Sequence, residues 1–187
     1  MQAVVVYESM YGNTHSVADA IGRGLRSLGS VLVVPVNEAT SELLQTADLV
    51  VVGGPTHVHG MTRSRTRKAA IDATRRPGNT LVLDPCSRGP GVRDWLASLT
   101  EVRTRAAAFD TRLTGPGVLT GRASKAITRG LRRHGFEVVA KPASFFVDKD
   151  NRLREGEEDR AVAWAEELVS RVLSAGFPTG KSDSVRH

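Results

Sequence analysis

Between an apolar run, Ala3–Tyr7, and an amphipathic run beginning near Val17 lies the short polar segment Glu8-Ser9-Met10-Tyr11-Gly12-Asn13-Thr14. Ser9 and Thr14 supply hydroxyl donors, Asn13 an amide, and Gly12 a position where the chain can approach a ligand closely. If a helix starts here, its first backbone N–H groups lack intrahelical partners and carry partial positive charge, so the segment suits an anion. It contains no lysine, so a phosphate would be held by neutral dipoles. An N-capped turn would need only Asn13 or Thr14, and on the loop alone the two readings stand level. Two other phosphate patterns fail. Gly22 and Gly24 fall inside the expected helix rather than after the strand, and "GFPTGKS" is one residue short of a Walker loop with no helix following.

The elements around that loop define an α/β chain. Ala3–Tyr7, Val31–Val36, Leu49–Gly53 and Arg105–Phe109 read as strands, the continuous apolar ones suited to burial on both faces of a parallel sheet. Phe136–Ala140 with Phe145–Val147 reads as a fifth strand, interrupted at Pro142. Val17, Ala18, Ile21, Leu25 and Leu28 share one helical face. Further helices are expected at Ser41–Thr46, Ser64–Thr74, Val92–Leu99, Ser124–His134 and Glu157–Leu173, while "NTLVLDPC" has no clear assignment. Strands alternating with helices predict a parallel sheet covered on both sides. Ligands of such sheets bind beyond the strand carboxyl ends, which directs attention to the loops after the first, third and fourth strands.

The loop and its surroundings, Val5 to Thr14 followed by Ala18 and Ile21, resemble the flavodoxin signature, and the order of elements resembles flavodoxin over residues 1–174. The resemblance implies a flavodoxin-like three-layer sandwich, short-chain in type, with a five-stranded parallel sheet in the order 2-1-3-4-5. It implies FMN as cofactor, its phosphate wrapped by Ser9, Met10, Tyr11, Gly12, Asn13 and Thr14. "GGPTHVHGM" is similar to the second flavin loop of that family, which brings in Pro55, Thr56, His57, His59 and Gly60. "FDTRLTGPG" corresponds to the third, with Asp110, Thr111 and Arg112 as contacts. Two departures stand out. Neither of these loops holds the tyrosine or tryptophan with which flavodoxins stack the ring, a contact worth ~0.5–1.5 kcal/mol beyond area burial. The chain is also basic where flavodoxins are acidic, so Arg63, Arg65 or Arg112 would stabilise a reduced, anionic flavin and make it less reducing.

Composition narrows the function. The 187 residues suffice for one core, and the polar tail 175–187 is expected to be disordered. Cys86 is the only cysteine, which excludes an internal disulfide and suits a reducing cytoplasm. No apolar run approaches a membrane span, and the opening strand leaves no room for a signal peptide, so a cytoplasmic location is expected. The net charge of +6, from 26 Lys+Arg against 20 Asp+Glu, favours an anionic ligand or an acidic partner. The basic run Arg63–Arg76 lacks the interleaved aromatics of single-strand readers and reads as a solvated surface. Three functions follow from the resemblance. The chain is an FMN electron carrier between protein partners, an NAD(P)H-dependent quinone reductase or related oxidoreductase, or a flavin-free interaction module. The carrier is the first choice.

Overall fold

The computed structural model describes residues 1–57, 60–116 and 120–174. His59 and the tail 175–187, both named above, lie outside them. Strand β1 (Gln2–Tyr7) is flanked in parallel by β2 (Ser30–Pro35) and β3 (Leu49–His57), and β3 pairs in parallel with β5 (Arg105–Leu113). The fifth position is shared by two pieces, β6 (Glu137–Val138) and β7 (Ala143–Val147), each parallel to β5. Taking those pieces as one strand, the order is the 2-1-3-4-5 expected from the sequence. A small strand β4 (Gly60–Met61) returns antiparallel on the end of β3.

Strict alternation sends side chains to two cores. Ala3, Val5 and Tyr7 point with Val51, Ala107 and Phe109 toward α1 (Asn13–Gly24) and α6 (Glu157–Ser174). Val4 and Val6 point with Val50, Val52, Ala106 and Ala108 to the opposite side. There α2 (Ser41–Thr46), α4 (Val92–Ser98) and α5 (Ala123–Arg133) cover them with Leu44, Trp95, Leu96, Ile127 and Leu131. Each central strand is therefore apolar throughout because both faces are dry. The remaining helix, α3 (Ser64–Thr74), buries only Ala70 and belongs to the rim.

Three differences from the sequence reading bear on function. First, β3 and β5 run further than expected, to His57 and Leu113, because their parallel ladder continues through Gly54↔Asp110 and Pro55↔Thr111. Pro55, Thr56, Asp110, Thr111 and Arg112 therefore sit on strand ends rather than on free loops. β7 holds the other side of β5, pairing Thr111 with Phe145 and Arg112 with Phe146. Second, the fifth strand is fully split around Ala140–Pro142, where proline has no N–H for the ladder. Third, residues 79–86 form an irregular segment, tied to the first loop by the amide of Asp84 donating to the Met10 carbonyl at 2.9 Å. Among the described residues no helix is long and apolar enough to cross a membrane.

Candidate functional site

A cavity of about 280 Å³ opens at the carboxyl ends of β1, β3 and β5, where the strand order reverses. Its wall combines Ser9–Tyr11, Asn13 and Thr14 with Pro55–His57 and Thr111–Leu113. Two further segments complete it: Thr62, Thr66, Arg67 and Ala70 around α3, and Val147–Lys149 with Asn151 after β7. Three sequence segments chosen for a shared ligand thus meet in one place.

Three helix starts other than that of α1 find side-chain partners within the chain. The amide of Leu43 in α2 donates to the Thr40 hydroxyl at 3.3 Å. The amide of Val92, first in α4, donates to the Glu8 carboxylate at 2.8 Å. The first two amides of α5, Ala123 and Ser124, donate to the Thr56 hydroxyl at 2.8 Å and the Asp110 carboxylate at 2.7 Å. α1 receives no side-chain cap and has no acid in its first turn. Its N-cap is Gly12, with φ +90°, and a Cβ built there would meet nothing within 4 Å. The first amides of α1 are thus left without a side-chain cap beside an open space, the arrangement an anion needs. Ser9 steadies the turn by accepting from the Gly12 amide at 3.1 Å, and Asn13 reaches across to the Asn151 carbonyl at 2.8 Å.

The opposite wall carries a buried cation. Arg112 is 4% exposed and, among the described residues, forms no ion pair. Its Nη1 donates to the Gly115 carbonyl at 2.9 Å and the Thr120 hydroxyl at 2.7 Å, while its guanidinium lies over the Phe146 ring at 4.7 Å. Among the described residues the buried Nε has no partner. Burial pulls the guanidinium pKa below its ordinary value, with the charge of Asp110 opposing that shift. An unpaired donor on a desolvated cation is expensive unless a ligand completes it.

Thr14 and Thr111 hydrogen-bond through their hydroxyls at 2.8 Å, linking the first loop to β5 across the cavity floor. Tyr11 supplies an aromatic wall from the first loop, its hydroxyl donating to the Ala70 carbonyl at 3.0 Å. Asp110 is fully buried off the cavity, where it caps α5, and Gly60 borders a neighbouring cavity instead.

Several residues of the site carry no signal in the sequence pattern. Glu8 is buried, accepting from the Thr62 hydroxyl as well as from Val92. Burial is the main cause that raises its pKa from the ordinary 4.5, against the two donors and Arg67. Arg67, read as part of a solvated run, has an 11% exposed side chain that pairs with Asp94 at 2.6 Å while lining the cavity. Asn151 sits in the left-handed region at φ +58°, and its side-chain amide has no partner among the described residues. The turn-forming "DKDN" could have marked that position.

The raised pKa of Glu8 gives a pH prediction. Above pH 4.5 the unfolded chain loses this proton while the folded protein keeps it, so the unfolded state binds fewer protons and stability falls as pH rises to the folded-state value. Glu8→Gln removes that fall. Urea midpoints measured from about pH 4 to about pH 8 should show the variant gaining on the parent through that window. Parallel pH profiles would mean that Glu8 titrates normally.

The fold and the cavity at its strand-order switch define a flavodoxin-like α/β protein. The flavodoxin family model matches residues 5–77. A flavodoxin from the domain Archaea superposes with a TM-score of 0.61 at 20% identity, covering 92% of this chain and 99% of that one. Flavodoxin 1 from Bacillus cereus gives 0.61 at 18% identity, with coverage of 91% and 98%. A WrbA-like flavodoxin from Agrobacterium tumefaciens gives 0.58 at 17% identity, with coverage of 94% and 99%. No curated protein sequence matches the chain. The family match is confined to residues 5–77, and over the rest of the chain the likeness to these structures is one of fold.

Proposed function

We propose that the chain binds FMN in the cavity at the β1–β3 switch and carries electrons between protein partners. One observation carries the reading: the uncapped, open N-terminus of α1 faces the same cavity as a buried arginine with an unpaired Nε. Ser9, Gly12, Asn13 and Thr14 would surround the phosphate. Met10, Tyr11 and the segment from Pro55 through His57, His59 and Gly60 would flank the ring, with Thr111 and Arg112 at its polar edge. Asp110 would act indirectly, by fixing α5 beneath that edge. When bound, the flavin supplies reversible electron storage, and the protein supplies orientation and electrostatics. The volume falls slightly below the ~300–1,000 Å³ of ordinary ligand sites, so one edge of the ring would remain outside, where a partner can reach it.

An acidic partner suits the rim. A second cavity of about 570 Å³ shares His57 and Thr66 with the first and is bordered by Arg63, Arg65 and Arg93. Such a positive margin speeds encounter with a negative surface. The same shared wall favours the second reading, an NAD(P)H-dependent oxidoreductase whose dinucleotide phosphates meet these arginines.

The test is a titration of FMN with the purified chain. Quenching of flavin fluorescence with a raised melting temperature is expected. Unchanged fluorescence and melting would leave only an interaction module on this fold. NADPH added anaerobically to the loaded protein separates the first two readings: a carrier stays yellow until a reductase is supplied, whereas an oxidoreductase bleaches.

A further inference from the structure

A third cavity, of about 510 Å³, lies along the broken fifth strand and shares no lining residue with the flavin cavity. Five cations line it. Lys125, Arg129 and Arg132 come from α5, Lys141 from the strand break, and Arg171 from the last turn of α6. No acidic residue lines it, and among the described residues none of the five forms an ion pair. Elsewhere the arginines Arg23, Arg67, Arg75, Arg103 and Arg160 each have a carboxylate partner.

The arrangement is unfavourable without a ligand. The α5 cations fall at i, i+4 and i+7, forming one stripe, and like charges at such spacing destabilise a helix. Lys125 sits in the first turn, at the positive end of the helix dipole. α5 holds no acid to offset any of this. The fifth strand pairs with β5 as far as the Val139 amide, which donates to the Ala106 carbonyl at 2.9 Å, and rejoins at Ala143. Lys141 lines the intervening bow together with Pro142, while Val138 packs toward the α5 side of the sheet and Val139 toward the α6 side.

We infer that this groove is a binding site for a small organic polyphosphate, a nucleoside di- or triphosphate in class. Guanidinium groups grip phosphate oxygens through paired N–H donors, and the apolar side chains of Val138 and Pro142 in the lining offer contact to a base. Lys125 to Arg132 spans ~10 Å at 1.5 Å per residue, enough for a chain of two or three phosphates. A single-stranded polynucleotide fits less well, since no aromatic side chain lines the groove for stacking.

Calorimetry of the full chain with ATP, sodium tripolyphosphate and orthophosphate tests this. Saturable one-site ATP binding is expected, weakening at higher salt, with tripolyphosphate competing but binding less tightly and orthophosphate weakest. The exposed pair Arg129→Ser/Arg132→Ser should weaken ATP at least about tenfold at a melting temperature no lower than the parent's, since both guanidinium contacts to phosphate are lost while the like-charge stripe is relieved. Arg65→Ser, at the other arginine cluster, should leave ATP affinity unchanged, and FMN quenching by the double variant should match the parent. Absence of saturable ATP binding, or equal affinity in the double variant, would overturn the site. Tripolyphosphate binding as tightly as ATP would overturn the nucleoside assignment, and capture of an oligonucleotide or acidic peptide in place of ATP would overturn the small ligand.

Discussion

Gly12→Asp should weaken FMN by at least about a hundredfold while changing riboflavin affinity little. Two like charges near 4 Å apart repel by ~4 kcal/mol at the effective dielectric of a protein surface. The new carboxylate would stand at the N-cap of α1, in space where a Cβ has no neighbour within 4 Å. Nothing is crowded out there, so the loss reports charge rather than shape. The backbone at φ +90° costs any non-glycine residue ~1–2 kcal/mol, which melting will show as a separate, flavin-independent term. Paired fluorescence titrations with the two flavins read the result. Equal losses for both would place the phosphate somewhere other than this helix start.

Arg112→Gln should make the bound flavin more reducing by ~60–120 mV, equivalent to a ten- to hundredfold change in the one-electron equilibrium. The reason is burial: a guanidinium 4% exposed acts through protein rather than water, and removing it withdraws stabilisation from added negative charge. Arg112→Lys keeps the charge while losing the fork that reaches Gly115 and Thr120, so it should retain most of the potential but less stability. Anaerobic titration against reference dyes measures both variants. A glutamine variant with the parent's potential would remove Arg112 from the flavin's surroundings.

The sequence carried the architecture because five apolar segments bounded by turns allow few arrangements. The boundaries of the helices after the first lie within a residue or two of those expected, while α1 begins and ends four residues ahead of its apolar stripe. The first loop was legible because its glycine and hydroxyls exceed what a turn requires. What escaped depended on long-range partners. Glu8 looks like an ordinary loop acid until Thr62 and Val92, far along the chain, close over it. Arg67 is indistinguishable in sequence from Arg63 and Arg65, and only the fold brings Asp94 beside it. Asp110 looks like a ligand contact by position, yet it lies off the cavity and caps α5, while Thr56 lines the cavity and accepts from α5 as well. Apolar periodicity stops short of the true strand ends because it does not register a neighbouring ladder, and the last residues of β5 are held by β7.

The split of the fifth strand also bears on colloidal behaviour. An unbroken outer strand offers its free amides and carbonyls as a template on which another molecule can polymerise. Here that border is cut into runs of two and five residues, with a lysine and a proline in the gap. The opposite border, β2, is six residues long and uninterrupted, with Leu32 turned outward at 41% exposure. At high concentration, cross-molecule strand pairing should therefore begin at β2.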